Sequence, residues 1–352
     1  MKNKDLIYKS IRIAFILLLL SNISPWHLYS QDDNDADFGL FKNESILNIK
    51  LAFDIETFMK EKPEEEYLDA EITIYLDETD SIFEKIKVCA RGNYRRRTCD
   101  FPPIMLNFKG AKTGYSDLDD LGRVKLVSHC MPGEDYQTYV MREYLAYKIY
   151  NIITDYSFRV RLMNISYYDI KTHSLYANNK IAFILEPVDF LEKRFGKDEL
   201  EDIEITDESV INDIVLKLSV FEYLIANSDW SIPMIHNLKI FGDEDTRANS
   251  IVVPYDFDYS GWVNTHYSVA REDLGLKDIR NRAFLGPCRS EEEWRDVLDY
   301  YQEKENNIID MIEDFEYLKR RERNDLVRYV ESFYRLYRDD KIISIFMEAC
   351  NQ

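Results

Sequence analysis

Alternation of apolar and polar positions is the first pattern along the chain. Segments 45–58, 67–76 and 83–91 switch sides at every residue, as half-buried antiparallel strands do. Ile104–Phe108 and Arg123–Cys130 read as two further strands. The period then changes. Val140, Tyr144, Tyr147, Ile149 and Ile152 recur at helical spacing, which predicts an amphipathic helix over Tyr136–Ile153. Strands return at Arg159–Asp169 and Lys180–Glu186. This order predicts a mostly antiparallel sheet carrying a single helix. After Glu186 the pattern is helical. Asp207 caps a predicted helix over Glu208–Ala226, and residues 290–350 read as three or four helices. The expected fold class is α+β and two-lobed. A strand-rich N-lobe would span 45–186, a mostly helical C-lobe 187–352, and a cleft would lie between them.

The N-terminus departs from both patterns. Lys2, Lys4, Lys9 and Arg12 precede the apolar run Ile13–Leu20, and Ser30 offers a small residue at a cleavage point. Residues 1–30 are therefore expected to be a signal peptide, with 31–44 a flexible acidic leader. The run is short for a membrane span. The expectation is an exported protein, in the periplasm, at the cell surface or secreted, with no membrane insertion after cleavage. A formal charge of −20 argues against a nucleic-acid partner, which requires a basic face. Export makes disulfides plausible among the five cysteines. Cys89 with Cys99 could bridge an Arg-rich turn, and Cys130 with Cys288 could tie the two halves together. Their spacings fit no zinc pattern.

Candidate chemistry concentrates in Asn227–Gly261. Asp229 stands in a loop after a helix, where it could orient or deprotonate a hydroxyl, or simply end the helix. Asn237 could ligate a metal or serve as a turn amide. Asp256 and Asp258 flank Phe257 on one side of a strand end, where two carboxylates fit a hard cation such as Mg²⁺ or Mn²⁺, or make an exposed acidic end. Upstream, Lys125 lies inside the apolar strand V-K-L-V, and Glu143 lies on the next helix. A strand lysine paired with a helix glutamate is how kinases hold nucleotide phosphates; the alternative is two solvated charges. Glu186 closes the last strand of the first lobe, where a hinge could offer backbone groups to an adenine ring. The order Lys–Glu–Glu–Asp–Asn–Asp is that of a phosphoryl-transfer site. There is no G-x-S-x-G, P-loop, G-x-G-x-x-G or H-E-x-x-H to suggest another chemistry.

Five short stretches carry a family likeness. They are Arg91-Gly92-Asn93 after a strand, M-R-E-Y-L-A-Y at Met141–Tyr147, F-x-L-E at Phe183–Glu186, N-x-D at Asn227–Asp229 and Y-D-F-D at Tyr255–Asp258. Together they resemble the CotH-type atypical protein kinases over residues 80 to 265. The resemblance implies ATP with Mg²⁺ or Mn²⁺, a protein substrate, and transfer of a phosphoryl group to a protein hydroxyl. Asp229 would be the catalytic acid, Asn237 and Asp256 metal ligands with Asp258 assisting, and Lys125 with Glu143 the ion pair on the phosphates. In place of a glycine-rich phosphate loop, residues 91–97 (RGNYRRR) would bring arginines to the phosphates, Arg91 among them. Asp229 and Asn237 stand further apart than the acid and amide of ordinary kinases. A non-catalytic surface or matrix-binding relative, or a nucleotide transferase (AMPylation), would use the same scaffold.

Overall fold

Asp54 marks the first place where local chemistry overrides the strand pattern. In the structure, a computed structural model that describes residues 36–201 and 203–351, β1 is Leu47–Phe53 and ends at that residue. The Asp54 carboxylate accepts the Thr57 N–H at 3.1 Å and caps a short helix, α1 (Ile55–Glu61). Ile55 and Phe58 then share one helix face and bury into the core, so the segment 45–58 is strand and helix rather than one strand.

Six more strands follow: β2 (Leu68–Tyr75), β3 (Ser81–Ala90), β4 (Ile104–Asn107), β5 (Arg123–Val127), β6 (Val160–Asp169) and β7 (Ser174–Leu185). Short helices α2 (Tyr94–Thr98) and α3 (Ser116–Asp119) flank β4, and the long α4 (Glu134–Ile153) precedes β6. The strands pair in the order β1-β2-β3-β4-β5-β7-β6, and the parallel pairing of β6 with β1 closes the sheet into a barrel. All other pairings in the barrel are antiparallel. Inward residues such as Ile49, Leu51, Ile72, Val88, Leu106 and Ile165 fill it. Closure leaves no open sheet edge.

The chain continues with α5 (Val188–Phe195), β8 (Asp198–Glu199), α6 (Asn212–Leu224), β9 (Leu238–Gly242) and β10 (Ile251–Pro254). Three C-terminal helices close it: α7 (Glu291–Glu313), α8 (Arg320–Arg338) and α9 (Lys341–Ala349). Strands β8, β9 and β10 make a small antiparallel sheet. Asp207 does not cap α6. It pairs with Arg289 at 2.8 Å, and a 3₁₀ turn at Asp207–Ser209 precedes the helix. The class is α+β.

From Asp37 onward the chain is one compact unit with two apolar cores. Their border does not follow the chain boundary drawn at Glu186, because α4 belongs to the helical core. It packs on β7 on one side and on α7 on the other. From Val140 to Ile153 it is therefore buried nearly all round rather than along one stripe. Arg142, 6 % exposed, fixes its far side: Asp325 lies 3.1 Å away, Glu322 is paired as well, and Nη1 donates to Trp262 O. Removing that guanidinium strands the half-buried Glu322 carboxylate and leaves Asp325 with Arg280 alone, at 3.0 Å. Arg142→Ala is expected to cost about 2 kcal/mol, read as a lowered urea midpoint; an unchanged midpoint would refute the role.

The leader is docked where it is described. Phe38 and Leu40 donate their N–H groups to the Asp117 carboxylate at 2.8 and 2.7 Å, and Leu40 is buried. This corrects the flexible leader for residues 37–44, because a buried leucine and two backbone hydrogen bonds hold them. The signal peptide 1–30 lies outside the described residues. Among the described residues, no helix is long and apolar enough to cross a membrane.

Candidate functional site

Strands, helices and the turns between them bring polar side chains to one cleft of about 510 Å³. Lys125 enters from β5, Glu143 from α4, Arg91 and Arg95 from the end of β3 and from α2, and Asp229 from the loop after α6. Asn237 stands just before β9, and Asp256 and Asp258 just after β10.

Lys125 lies opposite Met105 on the neighbouring strand, and its Nζ sits 4.8 Å from the centre of the Tyr255 ring. Burial, with Arg91 and Lys239 nearby, pushes the ammonium down to about 8 against the pull of Asp256 and Glu199. Among the described residues it makes no ion pair. The expected Lys125–Glu143 pair is thus not formed. Glu143, 4 % exposed, faces the arginines of the turn instead. Burial and then Asp258 hold its carboxyl well above the ordinary range, while Arg95 opposes them. A lysine and a glutamate both line the cleft, but neither forms an ion pair among the described residues.

The arginines are placed by a covalent tie. Cys99, at the end of α2, is bonded to Cys130, and Phe101 N–H donates to Cys130 O at 3.0 Å. Cys89 is a buried free thiol on β3, so it does not bridge the turn. Cys288 pairs with Cys350, which places it at the C-terminal helices rather than at Cys130. Within this frame Arg95 donates to Ser128 O at 3.1 Å and stands 3.7 Å from Asp258. Burial works against its charge, yet Asp258 and Tyr267 hold it firmly protonated. Arg91 is lowered by burial and by Arg95.

Asp229 is held on both oxygens. His236 Nε2 lies 2.9 Å from Oδ1, and Asn237 Nδ2 donates to Oδ2 at 3.0 Å and to the Asp229 carbonyl at 2.7 Å. The wide Asp229–Asn237 spacing is therefore no barrier to contact: Ser231–His236 turns back on itself through paired backbone hydrogen bonds. Asp229 keeps 42 % of its side chain exposed, as a group meeting a substrate would. Asn237 uses its nitrogen on Asp229 and leaves Oδ1 without a hydrogen bond among the described residues.

The argument that Asp256 and Asp258 share a strand face does not hold. β10 ends at Pro254, and Asp256 adopts φ +65°, a conformation strained for a non-glycine residue. Its N–H donates to Tyr147 Oη at 2.9 Å. Phe257 is fully buried, and both acids line the cleft by this local twist. Burial and the Asp256 carboxylate raise Asp258 to about 6, despite Arg95 and the Tyr267 hydroxyl, which donates to it at 2.9 Å.

The donor set bears directly on a metal. Among the described residues, no group of three or more His, Cys, Asp or Glu side chains is arranged to hold one. The cleft offers two mutually repelling carboxylates and one amide oxygen. All are hard oxygen donors, and such a set suits Mg²⁺ or Mn²⁺ when phosphate oxygens supply further ligands. The residues fit that mode.

Glu186 is not part of this cleft through its side chain. Its carboxylate accepts from Arg194 Nη2 at 2.8 Å and from the Arg159 N–H at 3.0 Å, and it lines a separate cavity with Leu40 and Phe190. Its own N–H is taken by Arg159 O, so only the preceding Leu185 borders the cleft. The physical reason is that Arg194, on the next helix, pairs with this buried carboxylate and compensates its charge. Sequence reasoning passes over Tyr147, His236 and Tyr267. Tyr147 is one helical turn after Glu143 and His236 abuts Asn237, so both carry a signal; nothing in the sequence points to Tyr267. No protein-family model matches the chain, and no curated protein matches it.

Proposed function

We propose that this chain is an exported, CotH-like atypical kinase of two-lobed, kinase-like fold, which transfers a phosphoryl group from ATP to a protein hydroxyl. The observation that carries this reading is the convergence of Lys125, Glu143, Arg91, Asp229, Asn237, Asp256 and Asp258 on one cleft from distant parts of the chain. Phosphoryl transfer asks the protein mainly for positioning and charge neutralisation. Asp256 and Asp258, with Asn237 Oδ1, would hold Mg²⁺ or Mn²⁺. That ion, when bound, supplies neutralisation of charge on the phosphates. Lys125 and Arg91 lie ready for the remaining phosphate charge. Burial pushes the Lys125 ammonium down to about 8, and an arriving phosphate would favour its charged form. Arg95 and Tyr267 hold Asp258 in place. Asp229, fixed by His236 and Asn237 and open to solvent, would orient the acceptor hydroxyl and receive its proton.

The test is incubation of the purified protein with ATP labelled at the γ- or the α-phosphate, with Mg²⁺ or Mn²⁺. Incorporation of γ-label, lost in Asp256→Ala, is the expected result. Incorporation of α-label would replace the kinase with a nucleotide transferase. Neither label, with no thermal shift on adding ATP, would leave a binding protein on the same scaffold.

A further inference from the structure

A second concave site takes no part in the proposed chemistry: the cavity that receives the Glu186 carboxylate. It holds about 420 Å³, within the roughly 300–1,000 Å³ typical of small-molecule sites. Leu40, Phe41 and Phe190 supply apolar walls, and the rings of Phe41 and Phe190 meet edge to face at 6.2 Å. Leu40 and Phe41 belong to the docked leader, so that segment builds one side of the cavity.

The charges around it are engaged, with one exception. Glu186 pairs with Arg194 at 2.8 Å, and Asp120 with Lys193 at 3.4 Å. Asp37 pairs with Lys42, and Asp117 accepts the Phe38 and Leu40 N–H groups. Arg159 is left over. It lines this cavity and two more, of about 620 and 400 Å³, yet its guanidinium makes no hydrogen bond or ion pair among the described residues. Its backbone is pinned: the N–H donates to Glu186 Oε2 and the carbonyl accepts the Glu186 N–H, both at 3.0 Å. The side chain is half-buried and extends from a fixed root. A guanidinium so placed is ready for a carboxylate, which its planar fork meets with two parallel hydrogen bonds.

We propose that this cavity binds a small amphipathic monoanion, with an aromatic or branched-alkyl body against Leu40, Phe41 and Phe190 and a carboxylate on Arg159. The charge count selects the head. One unpaired cation offsets one negative charge. A phosphate group carries about −1.5 to −2 at pH 7 and would meet repulsion from Asp117, Asp120 and Glu186. The site stands apart from the kinase reading, because it shares no lining residue with the cleft that holds Asp229.

The experiment is an equilibrium titration of the full protein with phenylbutyrate, followed by NMR line broadening of the ligand. Phenylbutanol carries the same body without the charge, and acetate carries the head alone. Phenylbutyrate is expected to bind saturably, about tenfold or more tighter than either. Arg159→Met, which keeps the stem and removes the fork, should weaken it about tenfold with an unchanged urea midpoint. Arg91→Met, in the other cleft, should leave it unchanged. No saturable binding of phenylbutyrate, or equal binding of phenylbutanol, would overturn the proposal. So would a loss in Arg91→Met with none in Arg159→Met, which would place the ligand in the Asp229 cleft. Phenyl phosphate binding as tightly as phenylbutyrate, and losing affinity in Arg159→Met, would overturn the choice of a monoanion. The wild-type comparison of phenylbutyrate, phenylbutanol and acetate decides the matter should Arg159→Met not fold.

Discussion

Asp229→Ala is expected to lower turnover by about 10²- to 10⁴-fold while leaving nucleotide affinity nearly intact. The carboxylate faces outward at the cleft mouth, and its contacts are to His236 and Asn237 rather than to the arginines or Lys125. Its loss therefore removes proton acceptance and orientation of the incoming hydroxyl, while Asn237 keeps its 2.7 Å hydrogen bond to the Asp229 carbonyl and the phosphate-facing groups stay in place. Asp256→Ala should show the opposite profile: ATP affinity in the presence of Mg²⁺ falls, and with it all incorporation of label. The comparison needs only two curves per variant, a thermal shift against ATP concentration and a rate of label transfer. Equal losses of binding in both variants would show that Asp229 is a structural member of the nucleotide site. Full turnover in Asp229→Ala would remove it from the reaction.

Gly261→Ala is expected to destabilise the fold by about 3 kcal/mol, at the upper end for overpacking by one methyl group. A Cβ there would overlap the Ile279 carbonyl oxygen and stand 2.8 Å from Arg280 Cα and 3.0 Å from Ala226 Cβ. Two of these three neighbours are backbone, which cannot rotate away. The Gly261 N–H donates to Ala226 O at 3.0 Å, so the glycine clamps the chain leaving Asp256–Asp258 against the chain entering Asp229. Activity should fall further than global stability implies, because both halves of the acidic site hang on that clamp. Denaturant midpoints and transfer rates on the same preparation check this. A midpoint within about 0.5 kcal/mol of wild type would show that the Ile279–Arg280 segment yields freely.

Strand order was legible because alternation reports burial directly. The barrel closure was not, since it pairs β1 with β6 across a separation of 116 residues, and no local pattern encodes that partnership. In the cleft, Lys125 was legible because a charge within an apolar strand needs a purpose. Glu143 was legible as a member, but sequence order could not show that two arginines as well as a lysine would bear on it. The Glu186 carboxylate turns to a different cavity because its compensating charge, Arg194, sits eight residues on in a helix whose direction the sequence does not reveal. Asp256 and Asp258 reached the site by a left-handed residue, where the two-residue period of a strand ceases to apply.

One consequence of α4 remains. The helix begins beside the barrel, carries Glu143 and Tyr147 into the cleft, and ends packed among the C-terminal helices. A hinge that opened the barrel away from the helices would have to tear this helix from one side or the other. If the cleft takes ATP as proposed, substrate would then enter through loop excursions around the Arg-bearing turn and residues 262–275 rather than through slow clamshell breathing. Single-molecule distances between a barrel dye and one on α8 should stay constant across the nucleotide titration, while a probe on Tyr267 reports binding.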